Sequence, residues 1–246
     1  LLAPPLTAML RQRWPDLHLE LRDLAGSGVE ELCGGQVDAA VLPNAPEQAA
    51  WQVDRLVTEP LGLAISPRSA LAESALPLRL HELLAVPLVL PGPRHWIRRT
   101  LAAAAFQRGL RFDAVTQVDS LPMIRALVRQ GPGCTILPAA AVREELARGA
   151  LVFRPLLQSS LPVTYAMAVR RAAPAAVREA ARAMGETIRS LATTGDWPGA
   201  QPARTAVAPA VGSLGAVAPA AAGPSQGWRP ALPVPAHGDL EFVEGD

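Results

Sequence analysis

The side chains of this sequence offer binding groups rather than a catalytic set. It contains no Gly-x-Ser-x-Gly elbow, P-loop, His-Glu-x-x-His or pair of carboxylates at helical spacing, and no cofactor motif. His18, His81, His95 and His237 are scattered. Cys33 and Cys134 lie far apart with no Cys-x-x-Cys pair, so neither a zinc site nor a disulfide framework is implied. Anion-binding chemistry has better support. The first turn of a helix carries unpaired N–H groups and a partial positive charge, which suit a carboxylate or phosphate. Three helix starts follow turns with that character: Gly26-Ser27-Gly28, Gly92-Pro93-Arg94-His95 and Asp119-Ser120. Arg94 and His95 could add positive donors, or Arg94 could be a solvated loop residue. Ser27 and Ser120 read as N-caps first and as ligand contacts second, since a cap hydroxyl cannot easily serve a ligand at the same time. Thr135, on a buried strand, either faces the ligand or bonds its own backbone. Asn44 follows a strand end, where the lip of a cleft would be.

The elements that must hold these groups alternate. Apolar residues at Leu2, Leu6, Met9 and Leu10 predict a helix over 2–13, stopped at Trp14-Pro15. Leu17, Leu19 and Leu21 alternate with His18, Glu20 and Arg22, the period of a half-buried strand over 17–21. Ser27 and Glu30 fit a capping box for a helix over 28–33, ended by Gly34-Gly35. Strands are predicted at 37–42, 53–58, 61–66, 88–90, 115–118, 134–137, 151–156 and 163–169. Helices are predicted at 96–108, 121–130, 139–148 and 175–191, with a short one within 67–84. Strand–helix alternation of this kind predicts an α/β fold with mostly parallel sheets covered on both faces. Open α/β sheets bind ligands beyond the carboxyl ends of their strands, where the three turns would lie.

Composition narrows the class. The chain has 246 residues, half of them hydrophobic, and a net charge of +1. That is enough for one large α/β unit or two lobes. Arg residues are interspersed with Asp and Glu, not clustered as in a nucleic-acid-binding module. No run reaches the roughly 18 apolar residues of a membrane span, and the first residues do not form a secretory signal. A cytoplasmic protein with no membrane partner is expected. From 193 to 246 the sequence turns to Ala, Pro and Gly with little periodicity, and a disordered tail is expected there.

The segment from Val118 to Gly131 (VDSLPMIRALVRQG), followed by Gly133-Cys134-Thr135-Ile136-Leu137-Pro138, resembles the effector-binding domain of LysR-type transcriptional regulators. The shared pattern is a strand, a capped helix, a Gly-x-Gly turn and a strand ending in Leu-Pro. The first helix, LTAMLRQRWP from Leu6, is similar to that family's, and LCGGQVDAAVL from Leu32 is similar to its Leu-x-x-Gly-x-Leu-Asp-x-Ala signature, with Val37 in place of Leu. Glu59-Pro60-Leu61 matches the usual crossover between lobes. Each motif is weak alone; their order and spacing over residues 1–191 carry the resemblance.

The resemblance implies a two-lobed, periplasmic-binding-protein-like (type II) fold. Residues 1–62 with 164–192 would form one lobe and 63–163 the other, joined by two crossing strands. A small effector, a carboxylate by the anion-binding turns, would sit between the lobes. Ser27, Asn44, Arg94, His95, Asp119, Ser120 and Thr135 are the candidate contacts. A homodimer or tetramer is implied. Promoter DNA would be met only through the family's helix-turn-helix, which together with a linker helix and the first strand of lobe one precedes the stretch matched here. The resemblance implies neither an enzyme nor a metal or cofactor. A solute-binding protein for transport shares the fold but would carry a leader and a lipid-anchor Cys. Enzymes on the same fold, such as prephenate dehydratase, show a Thr-Arg-Phe triplet that is missing here; porphobilinogen deaminase needs a Cys loop, which neither cysteine supplies.

Overall fold

The structure is a computed structural model, and it describes residues 1–23, 28–74, 76–112, 116–131, 133–157 and 161–203. Ser27, Pro132 and residues 204–246 of the expected tail lie outside them. Helix α1 (Ala3–Arg13) opens on Pro4 and Pro5, whose missing N–H groups are harmless in a first turn, and it buries Leu6 and Leu10, one turn apart. Helix α2 (Gly28–Cys33) buries Leu32 and leads into strand β1 (Ala39–Pro43), where Ala40 and Leu42 face inward. Strand β2 (Trp51–Ile65) is one continuous strand where two short ones were expected. Strand β3 (Val89–Leu90), helix α3 (Trp96–Phe106), strand β4 (Thr116–Gln117) and helix α4 (Leu121–Gln130) follow. Strand β5 (Thr135–Pro138) then runs into a 3-10 turn, Ala139–Val142, and helix α5 (Arg143–Ala147), which divide the predicted 139–148 helix. Strands β6 (Val152–Pro155) and β7 (Pro162–Arg170), helix α6 (Ala175–Thr193) and strand β8 (Gln201–Pro202) complete the order.

β2 is the spine. Over residues 51–60 it pairs antiparallel with β7, which pairs in turn with β1. Over residues 61–65 it pairs instead with β5 and β6. Pro60 sits opposite Pro162, where the partner changes. A proline gives no N–H to a ladder, so that is where a strand can switch neighbours without losing a bond. The change of partner divides the apolar interior. Leu56, Val57, Met167, Ile188 and Trp197 pack in one lobe, and Leu61, Leu63, Leu90, Leu101 and Ile136 in the other.

Three expectations need correction. Mostly parallel pairing is found between β3 and β4 and in the bridges Leu88–Cys134 and Leu78–Leu156, whereas the ladders along β2 are antiparallel. The reason is that β2 and β7 carry the chain out to the second core and back. Residues 17–21 form no strand: Leu21 is 54% exposed, while Leu17 and Leu19 are half-buried. Alternation makes a strand only where a neighbour takes up the backbone groups, and among the described residues none pairs with this segment. The tail does not begin at 193. Trp197 is 3% exposed against α6, and β8 pairs with β2 at Val57–Pro202 and Thr58–Gln201. One buried indole, worth on the order of a few kcal/mol, anchors a stretch whose composition alone reads as unstructured.

Candidate functional site

A large cavity of about 1260 Å³ is lined by Leu6, Leu10 and Val41 from one side and by Trp96 and a further apolar cluster that includes Ile97 and Ile124 from the other. The N-terminal turns of α3 and α4 open onto it. The two turns are tied together by Asp119, whose Oδ1 accepts the Gly92 amide at 2.7 Å. A Cβ on Gly92 would lie 2.8 Å from that oxygen, so only glycine permits this approach.

At α3, His95 is the N-cap: its Nδ1 accepts the Ile97 amide at 3.2 Å. With Nδ1 accepting, the ring proton belongs on Nε2. Burial lowers the His95 pKa, helped by Arg99 and opposed by Asp119 and Asp23, so the ring is held as a neutral donor. At α4, Ser120 Oγ accepts the Met123 amide at 3.5 Å, and Gly131 closes the helix at φ 97°. Pro122 has no N–H and Met123 is capped, so the turn offers an anion at most the Leu121 amide and the Ser120 hydroxyl proton. Arg125, one turn further along α4, lines the same wall and pairs with Glu145 at 3.5 Å.

The structure brings His95, Asp119 and Ser120 together on the cavity and leaves the other described candidates off its wall. Arg94 is an exposed turn residue. Asn44 is exposed at φ 50°, and its backbone amide and Oδ1 bond the Thr164 carbonyl and amide at 2.7 and 3.0 Å, an Asn turn that ties β1 to β7. Thr135 is fully buried in the ladder opposite Ala64. Ser27 lies outside the described residues.

Sequence reasoning missed a second group on the cavity wall, where β2 and β7 cross between the cores. Glu59 is 1% exposed, and its Oε2 accepts Trp197 Nε1 at 3.0 Å. Burial pushes its carboxyl up to about 7, against the opposing pull of the Trp197 indole, the Tyr165 hydroxyl and the Ala140 backbone. Its other oxygen, Oε1, is shielded from solvent and has no partner in hydrogen-bond geometry. Around it runs an aromatic chain. Trp96 meets Tyr165 edge-on at 6.2 Å, Tyr165 meets Trp197 at 5.2 Å, and His95 stacks on Trp96 at 5.8 Å. The available signals were the Glu59-Pro60-Leu61 crossover, the chain's single tyrosine, and a Trp at the start of an Ala/Pro/Gly-rich stretch.

The wall thus carries both signs, Arg99, Arg125 and Arg143 together with Glu59, Asp119 and Glu144, among apolar surface. Among the described residues no cluster of metal ligands occurs, and no helix is long and apolar enough to cross a membrane. The arrangement suits binding of a small polar molecule.

Comparison with known proteins gives the same picture. The family profile described as the LysR substrate binding domain matches residues 1–217. The HTH-type transcriptional regulator BbuR of Bordetella bronchiseptica is 30% identical over 201 residues, 80% of this chain and 62% of that protein. The DNA-binding transcriptional dual regulator OxyR of Escherichia coli is 27% identical over 190 residues, 77% of this chain and 61% of that one. The chain therefore spans about three fifths of the length of these relatives. In shape it is similar to the regulatory domain of MetR, a LysR family regulator from N. meningitidis, with a TM-score of 0.65 at 18% identity, covering 81% of this chain and 90% of that one. A profile match over most of its length, in a chain with this two-lobed fold, places the protein in a family: it belongs to the LysR substrate-binding domain family.

Proposed function

We propose that the chain is the effector-sensing part of a LysR-type DNA-binding transcriptional regulator and not an enzyme. A small carboxylate-bearing effector binds between a lobe of residues 1–62 with 164–192 and a lobe of residues 63–163. Binding alters the lobe angle, and a homodimer or tetramer passes that change to helix-turn-helix segments on promoter DNA in the cytoplasm. A ligand can do this only if it favours one lobe arrangement over the other. The observation that carries the reading is the cavity itself, lined from both sides, with the first turns of α3 and α4 opening on it. The His95 Nε2–H, the Ser120 hydroxyl, the Leu121 amide and Arg125 are the donors for the carboxylate. A helix terminus contributes roughly 0.3–1 kcal/mol to holding an anion, so Arg125 must supply the larger share. A solute-binding protein of the same fold is the alternative; BbuR and OxyR, both transcriptional regulators, favour the sensor.

Thermal-shift titration with aromatic and aliphatic carboxylates tests the reading, with Arg125→Ala and Arg94→Ala alongside wild type. Stabilisation of wild type and Arg94→Ala, weakened about tenfold in Arg125→Ala, is expected. Equal responses in all three proteins refute the assignment of the carboxylate to the α4 turn.

A further inference from the structure

A carboxylate oxygen withdrawn from water without a partner is costly, and such groups are nearly always paired in the state a site is built for. Glu59 Oε1 is in that position, on the wall of a ligand-sized cavity. The indole of Trp197 donates to Oε2, and the Tyr165 hydroxyl and the Ala140 backbone lie near the carboxylate without completing a hydrogen bond to Oε1. The three rings beside it, half-buried Trp96 and Tyr165 and buried Trp197, supply the π faces that attract an organic cation. Across the described cavity wall, Arg99, Arg125 and Arg143 lie toward the α3, α4 and α5 starts, whereas Glu59 lies among aromatics at the crossing strands.

We propose that Glu59, with Trp96, Tyr165 and Trp197, is a cation subsite of the cavity that takes an ammonium group of the effector. An ammonium donates to Oε1 and lies against the rings. Building on the carboxylate reading above, the effector class becomes a small molecule with a carboxylate at one end and a protonated amine at the other, separated by an apolar body. The Trp96–Tyr165 contact joins residues from either side of the cavity, so a cation seated beside it favours one lobe angle over the other.

Three para-disubstituted benzenes separate the two ends: para-(aminomethyl)benzoate, para-methylbenzoate (no amine) and para-methylbenzylamine (no carboxylate). Each is titrated calorimetrically into the full chain at about pH 8, above the point at which Glu59 ionises. The aminomethyl acid is expected to bind about tenfold more tightly than para-methylbenzoate, with Glu59→Gln reducing that ratio to within about twofold. Should Glu59→Gln fail to fold, Trp96→Leu serves instead: it keeps Glu59 and its bond from Trp197 but removes a ring of the subsite, and the ratio falls. Equal binding of the two acids by wild type overturns the cation subsite and leaves the carboxylate reading intact. Binding of the amines alone, lost in Glu59→Gln, supports the subsite and overturns the carboxylate reading. Amine preference that persists unchanged in Glu59→Gln overturns the role of Glu59, and absence of binding by all three probes overturns the subsite and its effector class together.

Discussion

Replacing Glu59 by Gln should change how stability depends on pH, by an amount that follows from its burial. The carboxyl ionises near 4.5 when exposed in the unfolded chain and at about 7 in the fold, with desolvation as the main cause. A folded pKa above the unfolded one means that Glu59's favourable contribution is complete below about pH 4.5. It then declines as pH rises, until it is lost above about 7. Across that gap of about 2.5, at about 1.4 kcal/mol per pH step, the fold loses roughly 3 kcal/mol. Glu59 is almost wholly buried, so little of this is screened by solvent. Gln keeps an oxygen to accept from Trp197 and has nothing to ionise. Wild type and Glu59→Gln should therefore diverge between about pH 4 and pH 8, the variant gaining roughly 3 kcal/mol relative to wild type. For a body of this size that corresponds to roughly 6–12 °C in Tm. Urea unfolding at a series of pH values, followed by tryptophan fluorescence, reads it directly. Other carboxylates affect both proteins alike and cancel in the difference. Parallel pH profiles with a constant offset would refute the reasoning, because they would mean that Glu59 titrates in the fold as it does in water.

Three further outcomes follow from packing. Gly62→Ala puts a Cβ 2.7 Å from the Arg154 carbonyl and against the Phe153 ring, so a loss of roughly 1–3 kcal/mol in chemical denaturation is expected; wild-type stability would show that β2 and β6 are not packed this closely. Arg154, 6% exposed, donates Nε and Nη2 to Leu76 O at 3.1 and 2.9 Å and Nη1 to Leu71 O at 3.0 Å. Arg154→Met strands those carbonyls, so a loss of roughly 3 kcal/mol and faster limited proteolysis between residues 67 and 78 are expected, with an unchanged cleavage rate as the contrary result. Cys134 is buried, donates to Pro87 O at 3.4 Å, and has its thiol pushed up to about 12, whereas Cys33 is exposed. A thiol reagent should label Cys33 in the native protein and Cys134 only in denaturant; equal rates for both would contradict the burial.

The elements with strong periodicity were legible in the sequence. The α4 signals of Ser120, Pro122 and Gly131 predicted a helix with the bounds the structure shows, because capping and termination are local. The β2 spine was less legible: separate strands were predicted at 53–58 and 61–66, whereas Pro60 marks a change of partner within one strand. The failure at 17–21 has a similar origin, since alternation predicts which side chains would face inward, not whether a neighbouring strand exists to pair with. Among the candidate site residues, His95, Asp119 and Ser120 at helix starts reached the cavity, Arg94 in the turn before α3 stayed exposed off its wall, and those on or after strands, Asn44 and Thr135, were taken up by the sheets themselves. Glu59, Trp96, Tyr165 and Trp197 come from four separate elements and meet only through tertiary packing, so no spacing rule could have joined them.

Under the proposed function, the two ends of the cavity would not contribute equally to signalling. His95, Ser120, Leu121 and Arg125 all lie on α3 and α4 or the turns that open them, tied to one another by Asp119 and Gly92. A carboxylate held by that set alone moves with those elements as a body. It meets the same contacts at every lobe angle, and equal affinity for two states shifts neither. Glu59, Tyr165 and Trp197 belong instead to the crossing strands and to the segment docked on α6, and Trp96 meets them from α3. Under the proposed function, contacts made there change with the lobe angle, so the carboxylate end would set how tightly an effector binds and the Glu59 end how far binding moves the equilibrium. Arg125→Ala should raise the effector concentration needed while leaving the full amplitude of the tryptophan fluorescence change. Glu59→Gln should reduce the amplitude even at saturation. An amplitude that falls in Arg125→Ala and survives in Glu59→Gln would reverse this division of roles.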